Sequence, residues 1–428
     1  MSHAVEPTSS GPSDGNKRRL RLLDLDGAAP ESGIPSLINR ALDLRASDLF
    51  LVTNEQHVAV QARIFAQVEV LAILPIEQGR KYLMHVRNMA RMDVSDHRRP
   101  RDGRWIYEGA DGRTVDLRIN IMPTLHGDDM AVRLLDRDTH LLSLDRLGMS
   151  PRQLDTYRPM LESPGGLILF TGPTGSGKTC TLYASLAHLN NGRRKIHTIE
   201  DPIEYAIDGL RQSQVTPNIE LGPNELMRGV LRQAPDVIMV GEIRDADIAH
   251  TAAWASNAGV LVLSTIHAPA AAGAVQSLRG YGIPGPFIAS SLRASVSQRL
   301  IRTLCPQCQE LSEEEHSPET QRMMEEIRAF MPRGNIAGRY IVRGCEACHG
   351  TGYAGCTAVF EIMPMSDGLR DLVISGQGTR EIHARAVSEG MLTLRQAAML
   401  KVAQGRTTME EVRRAVPDMP AIIQALAA

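Results

Sequence analysis

The sequence predicts an α/β fold with a parallel central sheet, and three observations lead to this class. First, residues 166–170 form an unbroken apolar run, which is typical of a parallel strand buried on both faces. Second, a glycine-rich stretch follows this strand directly and runs into a helical pattern. Third, apolar strands alternate with helices over residues 165–300, which implies right-handed crossovers and parallel pairing.

The glycine-rich stretch is Gly172-Pro173-Thr174-Gly175-Ser176-Gly177-Lys178-Thr179, which fits the phosphate-loop pattern. A helical leucine pattern follows it until 190–192, where Asn-Asn-Gly ends the helix. Strand, loop and helix N-terminus form an anion cradle, because backbone N–H groups and the helix dipole favour phosphate. Lys178 is expected to reach the β- and γ-phosphates and Thr179 to hold Mg²⁺. The chain is therefore predicted to bind a nucleoside triphosphate.

The rest of the alternating region supplies the remaining elements of the core. The predicted strands are 195–199, 237–240 and 260–265, and the predicted helices are 224–233 and 246–257. Beyond residue 300 the sequence predicts a cysteine-bearing loop region and then short helices. One of these helices starts at the capping box 407–410 and ends before Pro417.

Before the core, the patterning predicts a small α+β domain. It contains a helix at 37–42, strands at 49–52 and 115–119, and a hairpin turn at Asp111-Gly112. Residues rich in Ser, Pro and Gly precede it and predict a disordered tail. The predicted organisation is a tail at 1–32, the α+β domain at 33–140, a linker at 141–164, the core at 165–300, a cysteine element at 301–356 and a helical region at 357–428.

Composition narrows the class of protein further. A chain of 428 residues is long enough for two or three domains with cores of their own. A formal net charge of −2 and only 4% aromatic residues argue against a protein devoted to nucleic acid. The sequence shows neither a signal peptide nor an apolar run of the ~18 residues that cross a bilayer. A cytoplasmic location is expected.

Acidic residues follow two of the predicted core strands. One cluster is 200–205 and the other is 241–245. Acids in this position form the second signature of phosphate-loop NTPases, where they act on Mg²⁺ or its water. Either cluster alone would more often be a solvated loop, but the phosphate loop in the same sheet favours the catalytic interpretation. His267 ends a third strand at the same edge, and its position fits a structural histidine and a γ-phosphate sensor equally.

The cysteines form two C-x-x-C pairs. Pairs of thiolates at this spacing each supply one edge of a tetrahedral Zn²⁺ site, so a structural zinc is predicted in preference to four free thiols. Cys356 is either a spare thiol or a substitute ligand. The predicted ligands are Cys305, Cys308, Cys345 and Cys348.

These blocks, in this order, resemble the secretion ATPases of type II secretion and type IV pilus assembly. The resemblance covers roughly residues 33–416. The core segments that match are GPTGSGKT (172–179), TIEDPIEY (198–205), LRQAPDVIMVGEIRD (231–245), LVLSTIHA (261–268), SQRLIRTLCPQC (297–308) and GCEACHGTGY (344–353). The earlier ones are ALDLRASDL (41–49), RRPRDGR (98–104), VDLRIN (115–120) and PTLHGDDMAVRLLD (123–136).

The resemblance implies a RecA-like phosphate-loop ATPase domain, preceded by a PAS-like α+β domain and followed by a zinc-bearing helical region. It implies ATP, Mg²⁺ and structural Zn²⁺ as cofactors. It also implies a homohexamer that drives an inner-membrane platform protein and is peripheral at that membrane through the partner. The implied function is an ATP-hydrolysing motor for pilus or pseudopilus assembly or for type II secretion. Retraction motors generally lack the four cysteines, so extension or secretion is favoured.

Site residues follow from the resemblance position by position. Glu204 matches the catalytic glutamate, Glu242 the atypical second-signature acid, and His267 the His-box residue. Three N-terminal arginines match those that such domains present to the nucleotide, where an arginine finger stabilises charge on the transferring phosphoryl group. These arginines are Arg104, Arg118 and Arg133.

Some positions depart from the family pattern. Val260 stands where many relatives have a histidine, Ala268-Pro269-Ala270 replaces a more polar run, and Phe50 replaces another histidine. The further N-terminal docking domain common in the family is expected to be absent. Because Lys178 and both glutamates are present, an active but divergent motor is expected. The alternatives are a pilus-retraction or type IV secretion ATPase, a nucleic-acid translocase, and a non-enzymatic zinc-repeat chaperone or adaptor.

Overall fold

The computed structural model describes residues 20–65, 67–93, 99–109, 112–136, 143–216, 221–311, 321–322, 325, 327–328 and 340–416. Within these residues an antiparallel sheet is followed along the chain by a mostly parallel one, and two further short strands pair with each other in a separate antiparallel sheet. No helix in this part of the chain is both long and apolar enough to cross a membrane. Asp111 of the predicted hairpin turn lies outside the described residues.

The first sheet contains β1 (Ala46–Thr53), β2 (His57–Ile64), β3 (Gln67–Pro75), β4 (Arg101–Glu108), β5 (Thr114–Thr124) and β6 (Gly127–Asp136), and it is accompanied by the helices α1 (Pro30–Asp43) and α2 (Ile76–Met89). Its described strands lie in the order β3-β2-β1-β6-β5-β4. Both helices pack on one face of the sheet and share a single apolar core with it. The opposite face carries polar residues such as Arg104 and Arg133.

The predicted tail at 1–32 is wrong for its last part. Leu20 and Leu25 are buried against the first core, and the Leu23 N–H donates to the Leu71 carbonyl of β3 at 2.8 Å. Gln78 of α2 also donates to the Leu25 carbonyl, at 2.6 Å. The Ser, Pro and Gly content of residues 1–32 as a whole predicts disorder and does not reflect the leucines between residues 20 and 25. Residues 1–19 lie outside the described residues.

The second sheet contains β7 (Gly166–Thr171), β8 (Ile196–Glu200), β9 (Arg211–Gln214), β10 (Val237–Val240), β11 (Leu261–Ile266), β12 (Leu292–Leu304) and β15 (Tyr353–Pro364). In the described chain its order is β15-β12-β7-β11-β10-β8-β9. Every pair is parallel except β12 with β15. The region 357–428 was predicted to be helical, but residues 357–364 belong to β15. Pairing with the distant strand β12 decides their structure.

Helices cover both faces of this sheet. Helix α3 (Pro151–Leu161) precedes the first strand of this sheet. Between its strands lie α4 (Lys178–Leu189), α5 (Pro223–Leu231), α6 (Ala246–Asn257), α7 (Gly273–Gly280) and α8 (Gly285–Ser291). Alternate residues of β7 point into two different apolar cores, with Leu167 and Leu169 in one and Ile168 and Phe170 in the other. Burial on both faces explains why the strands read as continuous apolar runs.

The remaining elements complete the C-terminal part. They are β13 (Gln309–Leu311), β14 (Tyr340–Val342), α9 (Asp367–Ile374), α10 (Thr379–Ser388), α11 (Leu394–Ala403) and α12 (Met409–Ala415). The predicted helix near residue 408 is present, but its cap is shifted by one residue. Thr408 accepts from the Glu411 N–H, whereas Thr407 donates to the Arg302 carbonyl at 2.7 Å.

Candidate nucleotide site and metal centre

The phosphate loop connects β7 to α4 at the carboxyl edge of the parallel sheet. Gly172 has a φ of +143°, and a Cβ there would lie 2.7 Å from the Gln298 carbonyl oxygen. Gly177 is the N-cap of α4 and is left-handed, at φ 87°. The backbone therefore requires glycine at both positions. The Lys178 Nζ atom donates to the carbonyls of Gly172 and Pro173, at 2.7 and 3.0 Å, so the ammonium group lies over the loop.

Strand β12 holds the phosphate loop by a side-chain hydrogen bond. The Gln298 side-chain amide donates to the Ser176 carbonyl at 2.7 Å, and both side chains are buried. Residues 297–308 lie in a segment that matches the family, but the match predicts no role for Gln298 or Arg299. The local sequence gives no signal for these two residues, because polar and apolar residues are mixed throughout β12.

Charges around Lys178 alter its proton affinity. Burial lowers the pKa of Lys178, the carboxylate of Glu242 opposes this shift, and the positive charge of Arg299 adds to it. The carboxylate of Glu242 at the end of β10 and the guanidinium group of Arg299 on β12 are therefore both close enough to act on the charge of Lys178.

Glu204 lies on the loop after β8 and faces the first sheet. Its Oε2 atom forms an ion pair with Nη1 of Arg118 at 3.1 Å. Arg118 also donates to the Ile203 carbonyl at 3.1 Å. Both side chains are only about one-fifth exposed, at 23% for Arg118 and 21% for Glu204. The structure thus brings together two predicted site residues that lie far apart in the sequence.

A buried carboxylate holds the start of this acidic loop. Glu200 is 4% exposed and accepts from Thr198 at 2.6 Å, from Gln212 at 3.1 Å and from the hydroxyl of Tyr183. The same hydroxyl accepts the Glu204 N–H at 3.2 Å. Burial, with the neighbouring Glu200, raises the pKa of Tyr183, which keeps this phenol protonated. Glu200 and Tyr183 therefore position Glu204, a role that the sequence did not reveal.

Glu242 follows β10 and meets the residue that ends β11. Its two carboxylate oxygens lie 2.5 Å from His267 Nε2 and 2.5 Å from Arg244 Nε. The His267 side chain is 67% exposed, whereas that of Glu242 is 20% exposed. His267 is therefore an exposed imidazole that is anchored to an acid at the carboxyl edge of the parallel sheet, where ligands of such sheets bind.

The three N-terminal arginines form a row across the first sheet. Arg104 pairs in register with Arg118, and Arg118 pairs with Arg133. Arg104 forms a bidentate ion pair with Asp116, at 2.6 and 2.8 Å, and Arg133 lies 3.6 Å from Asp48. Both are more than half exposed, at 61% and 53%. Arg118 contacts the acidic loop of the second sheet, while its two neighbours point to the same open face.

The four predicted cysteine ligands come together at the end of β12. Their sulfur atoms all lie within 4.8 Å of one another, and three of the separations are 3.7–3.8 Å. A tetrahedral Zn²⁺ site with bonds of about 2.3 Å has sulfur–sulfur edges of about 3.8 Å, so these residues fit zinc. Cys356 lies on β15 and is exposed, outside the cluster.

Backbone N–H groups stabilise the thiolate form of one cysteine in this cluster. The amides of Cys345 and Gly352 both donate to the Cys348 sulfur at 3.1 Å. Burial alone would raise the pKa of Cys348, but these donors and the neighbouring thiols outweigh it and lower the pKa to about 7. The thiolate is the form that binds metal.

Fold and site together define a class, a phosphate-loop ATPase with an arginine-bearing domain in front of it. The sequence profile of the Type II/IV secretion system protein family matches residues 26–414. The chain belongs to this family and is an ATPase of it.

Individual relatives agree with this assignment. The chain is 40% identical over 389 residues to the type II secretion system ATPase E of Vibrio cholerae, which covers 90% of this chain and 75% of the relative. It is 36% identical over 391 residues to the type IV pilus assembly ATPase PilB of Myxococcus xanthus, with coverage of 90% and 68%. The X-ray structure of the Legionella pneumophila ATPase DotB shares the fold, with a TM-score of 0.65, 18% identity and coverage of 90% and 95%.

Proposed function

We propose that this chain is the ATP-hydrolysing motor of a type II secretion or type IV pilus assembly machine. The observation that carries the proposal is the Arg118–Glu204 ion pair at 3.1 Å. It sets an arginine of the N-terminal sheet beside the acid that would activate water, at the edge of the sheet that holds the phosphate loop. An arginine supplied to the transferring phosphoryl group is the arrangement that accelerates phosphoryl transfer.

The proposed roles follow from the contacts. Glu204 acts as the general base, Glu242 orients Mg²⁺ or its water, and His267 senses the γ-phosphate. The Thr179 hydroxyl and the Glu242 carboxylate are oxygen donors of the kind that Mg²⁺ prefers. The four cysteines would hold a structural zinc, and this element favours assembly or secretion over retraction.

The exposed arginines support an oligomer. Arg104 and Arg133 point to an open face of the first sheet, where a neighbouring subunit's nucleotide could be reached. We infer a homohexamer that is cytoplasmic, peripheral at the inner membrane, and coupled to a platform protein of the machine. The domain division at 33–140, 165–300 and 301–356 belongs to this proposal.

The first test is ATP turnover of wild type and Glu204→Gln at a series of protein concentrations, with light scattering on the same samples. Wild type is expected to form a hexamer and to hydrolyse ATP only with Mg²⁺, with specific activity rising as the hexamer forms. Glu204→Gln keeps the volume of the side chain but removes its basicity, so we expect turnover to fall by about 10²-fold or more at unchanged ATP affinity.

Glu77→Gln is the matched control, because Glu77 is an exposed glutamate of α2 in a surface ion pair with Arg80. This variant should hydrolyse ATP at the wild-type rate. Equal activity of Glu204→Gln and wild type would reject the assignment of Glu204, and a wild-type hexamer that binds ATP without turnover would reject the motor itself.

A further inference from the structure

The loop after His267 is held by two buried charged residues that have no part in the roles above. Residues 270–272 of this loop are almost fully buried. The Ala271 N–H donates to Glu361 Oε1 at 2.9 Å, and Arg299 Nη2 donates to the Pro269 carbonyl at 3.0 Å. One charge from β12 and one from β15 therefore fix neighbouring peptide groups of the same loop.

Arg299 also lies against the phosphate loop. A Cβ added to Gly172 would lie 3.2 Å from Nη1, and this same nitrogen donates to the Gln298 carbonyl at 2.8 Å. The residue is 8% exposed, and its charge acts on Lys178. A single guanidinium group thus spans the two loops between which the terminal phosphate of a nucleotide would lie.

Glu361 extends the connection away from the nucleotide. It is fully buried, and its second oxygen accepts the Leu394 N–H of the first turn of α11 at 3.3 Å. His383 of α10 places Nε2 3.9 Å from the same oxygen. A buried carboxylate is costly unless charges and N–H donors compensate it. Here the compensation comes from the His267 loop, from Arg299 nearby and from two C-terminal helices.

We propose that Arg299 and Glu361 are positioning residues for ATP hydrolysis, and that Glu361 transmits movement of the His267 loop to α10 and α11. Arg299 sets the loop against the phosphate loop, and Glu361 ties the same loop to the C-terminal helices. This proposal rests on the proposed ATPase function. In this proposal neither Arg299 nor Glu361 contacts the nucleotide, and both act through the His267 loop.

Glu361→Gln and Arg299→Lys test the positioning role. A glutamine at 361 has one acceptor for two N–H donors, and a lysine at 299 lacks the planar fork that donates to two carbonyls at once. We expect kcat to fall about tenfold or more in each variant, with the KM for ATP changed by less than about threefold. Wild-type kcat in both variants would overturn the proposal.

Glu411→Gln is the control for destabilisation alone. Glu411 is also a fully buried glutamate, but it lies on α12 and bonds to Arg302 and Arg414 instead of the His267 loop. It should lower the melting temperature while leaving kcat within about twofold of wild type. If Glu411→Gln reduced kcat as strongly as Glu361→Gln, the effect would be one of stability and the positioning role would be rejected.

Hydrogen exchange gives a readout that does not depend on turnover. In wild type, a non-hydrolysable ATP analogue with Mg²⁺ should slow exchange in 172–179, in 268–273 and in 391–397. In Glu361→Gln the first protection should persist and the third should be lost. Protection of 172–179 without any change at 391–397 in wild type would overturn the coupling. Coupled protection without turnover would instead contradict only the proposed function, and absence of protection everywhere would contradict both.

Discussion

At the scale of single residues, charge pairs organise the nucleotide site. The sequence supplied the acids and the arginines by their place in matching segments, and the structure added how they are held. Glu204 is a predicted site residue because it follows a strand in a recognisable motif, and its catalytic role stays a prediction. Glu200 could not be assigned, because its role depends on Tyr183 and Gln212, which reach it from α4 and β9. Contacts between distant elements leave no local pattern in the sequence.

Arg118 yields a prediction at this scale. Arg118→Ala removes the cation that contacts Glu204, so turnover should fall by about 10³-fold, in the range of other arginine fingers, while ATP affinity changes little. Turnover and equilibrium binding of a fluorescent ATP analogue measure the two quantities. Arg80→Ala, which removes an exposed arginine of α2, is the control and should leave both unchanged. A loss of less than about tenfold in Arg118→Ala would exclude a role in the transition state.

At the scale of elements, β7, β8, β10 and β11 of the parallel core could be predicted from the sequence, whereas β9, β12 and β15 were not predicted. Strands such as β10 and β11 show as short apolar runs beside helices. Strand β15 starts with Tyr-Ala-Gly-Cys, which lacks any strand pattern, and its partner β12 lies on the other side of the cysteine element. Pairing over such a distance is decided by tertiary contacts, so local propensity does not predict it.

The cysteine element yields a second prediction. Wild type should contain about one zinc ion per chain, and Cys348→Ser should lose most of it, because that sulfur accepts two backbone N–H bonds and lies within the cluster. Metal analysis of the purified proteins measures the content. Cys356→Ser is the matched control, since Cys356 lies outside the cluster, and it should retain its zinc. Loss of zinc from Cys356→Ser would show that this cysteine is a ligand.

At the scale of the whole molecule, a buried charge network joins the two sheets. Arg302 of β12 bonds to Glu411 of α12 at 2.7 Å and also to Gln67 at the start of β3. Arg414 provides a second guanidinium group for Glu411. The buried carboxylate of Glu411 therefore joins α12 to β12, and Arg302 of β12 in turn contacts the first sheet.

Breaking this network should destabilise the fold. Glu411→Gln leaves Arg302 without its buried counter-charge, so the free energy of unfolding should fall by about 3–5 kcal/mol. Glu410→Gln, at the exposed neighbouring position, should change it by less than about 0.5 kcal/mol. Urea unfolding measures both, and equal effects would contradict a special role for Glu411.

The contribution of Glu411 to the free energy of unfolding should depend on pH. Burial opposes ionisation of Glu411, but the bonds from Arg414 and Arg302 outweigh it and lower the pKa of this carboxyl. Its contribution should be complete above the unfolded value of about 4.3 and should be lost as pH falls through the lower folded value. Unfolding of wild type and Glu411→Gln at pH 7 and at progressively lower pH should show the difference shrinking. A difference that grows in acid would contradict the assignment.

Strand β12 also bears on how this protein can vary in length. In a stretch that pairs with β15 without a register shift, β12 places Gln298 and Arg299 at the phosphate loop and Arg302 at the other sheet, and Cys305 follows the end of the strand. Inserting or deleting one residue in β12 would turn every later side chain to the opposite face and move these groups out of place together. Changes in chain length are therefore expected to be excluded from β12, because a single insertion would disturb the phosphate loop, the contact between the sheets and the cysteine cluster at once.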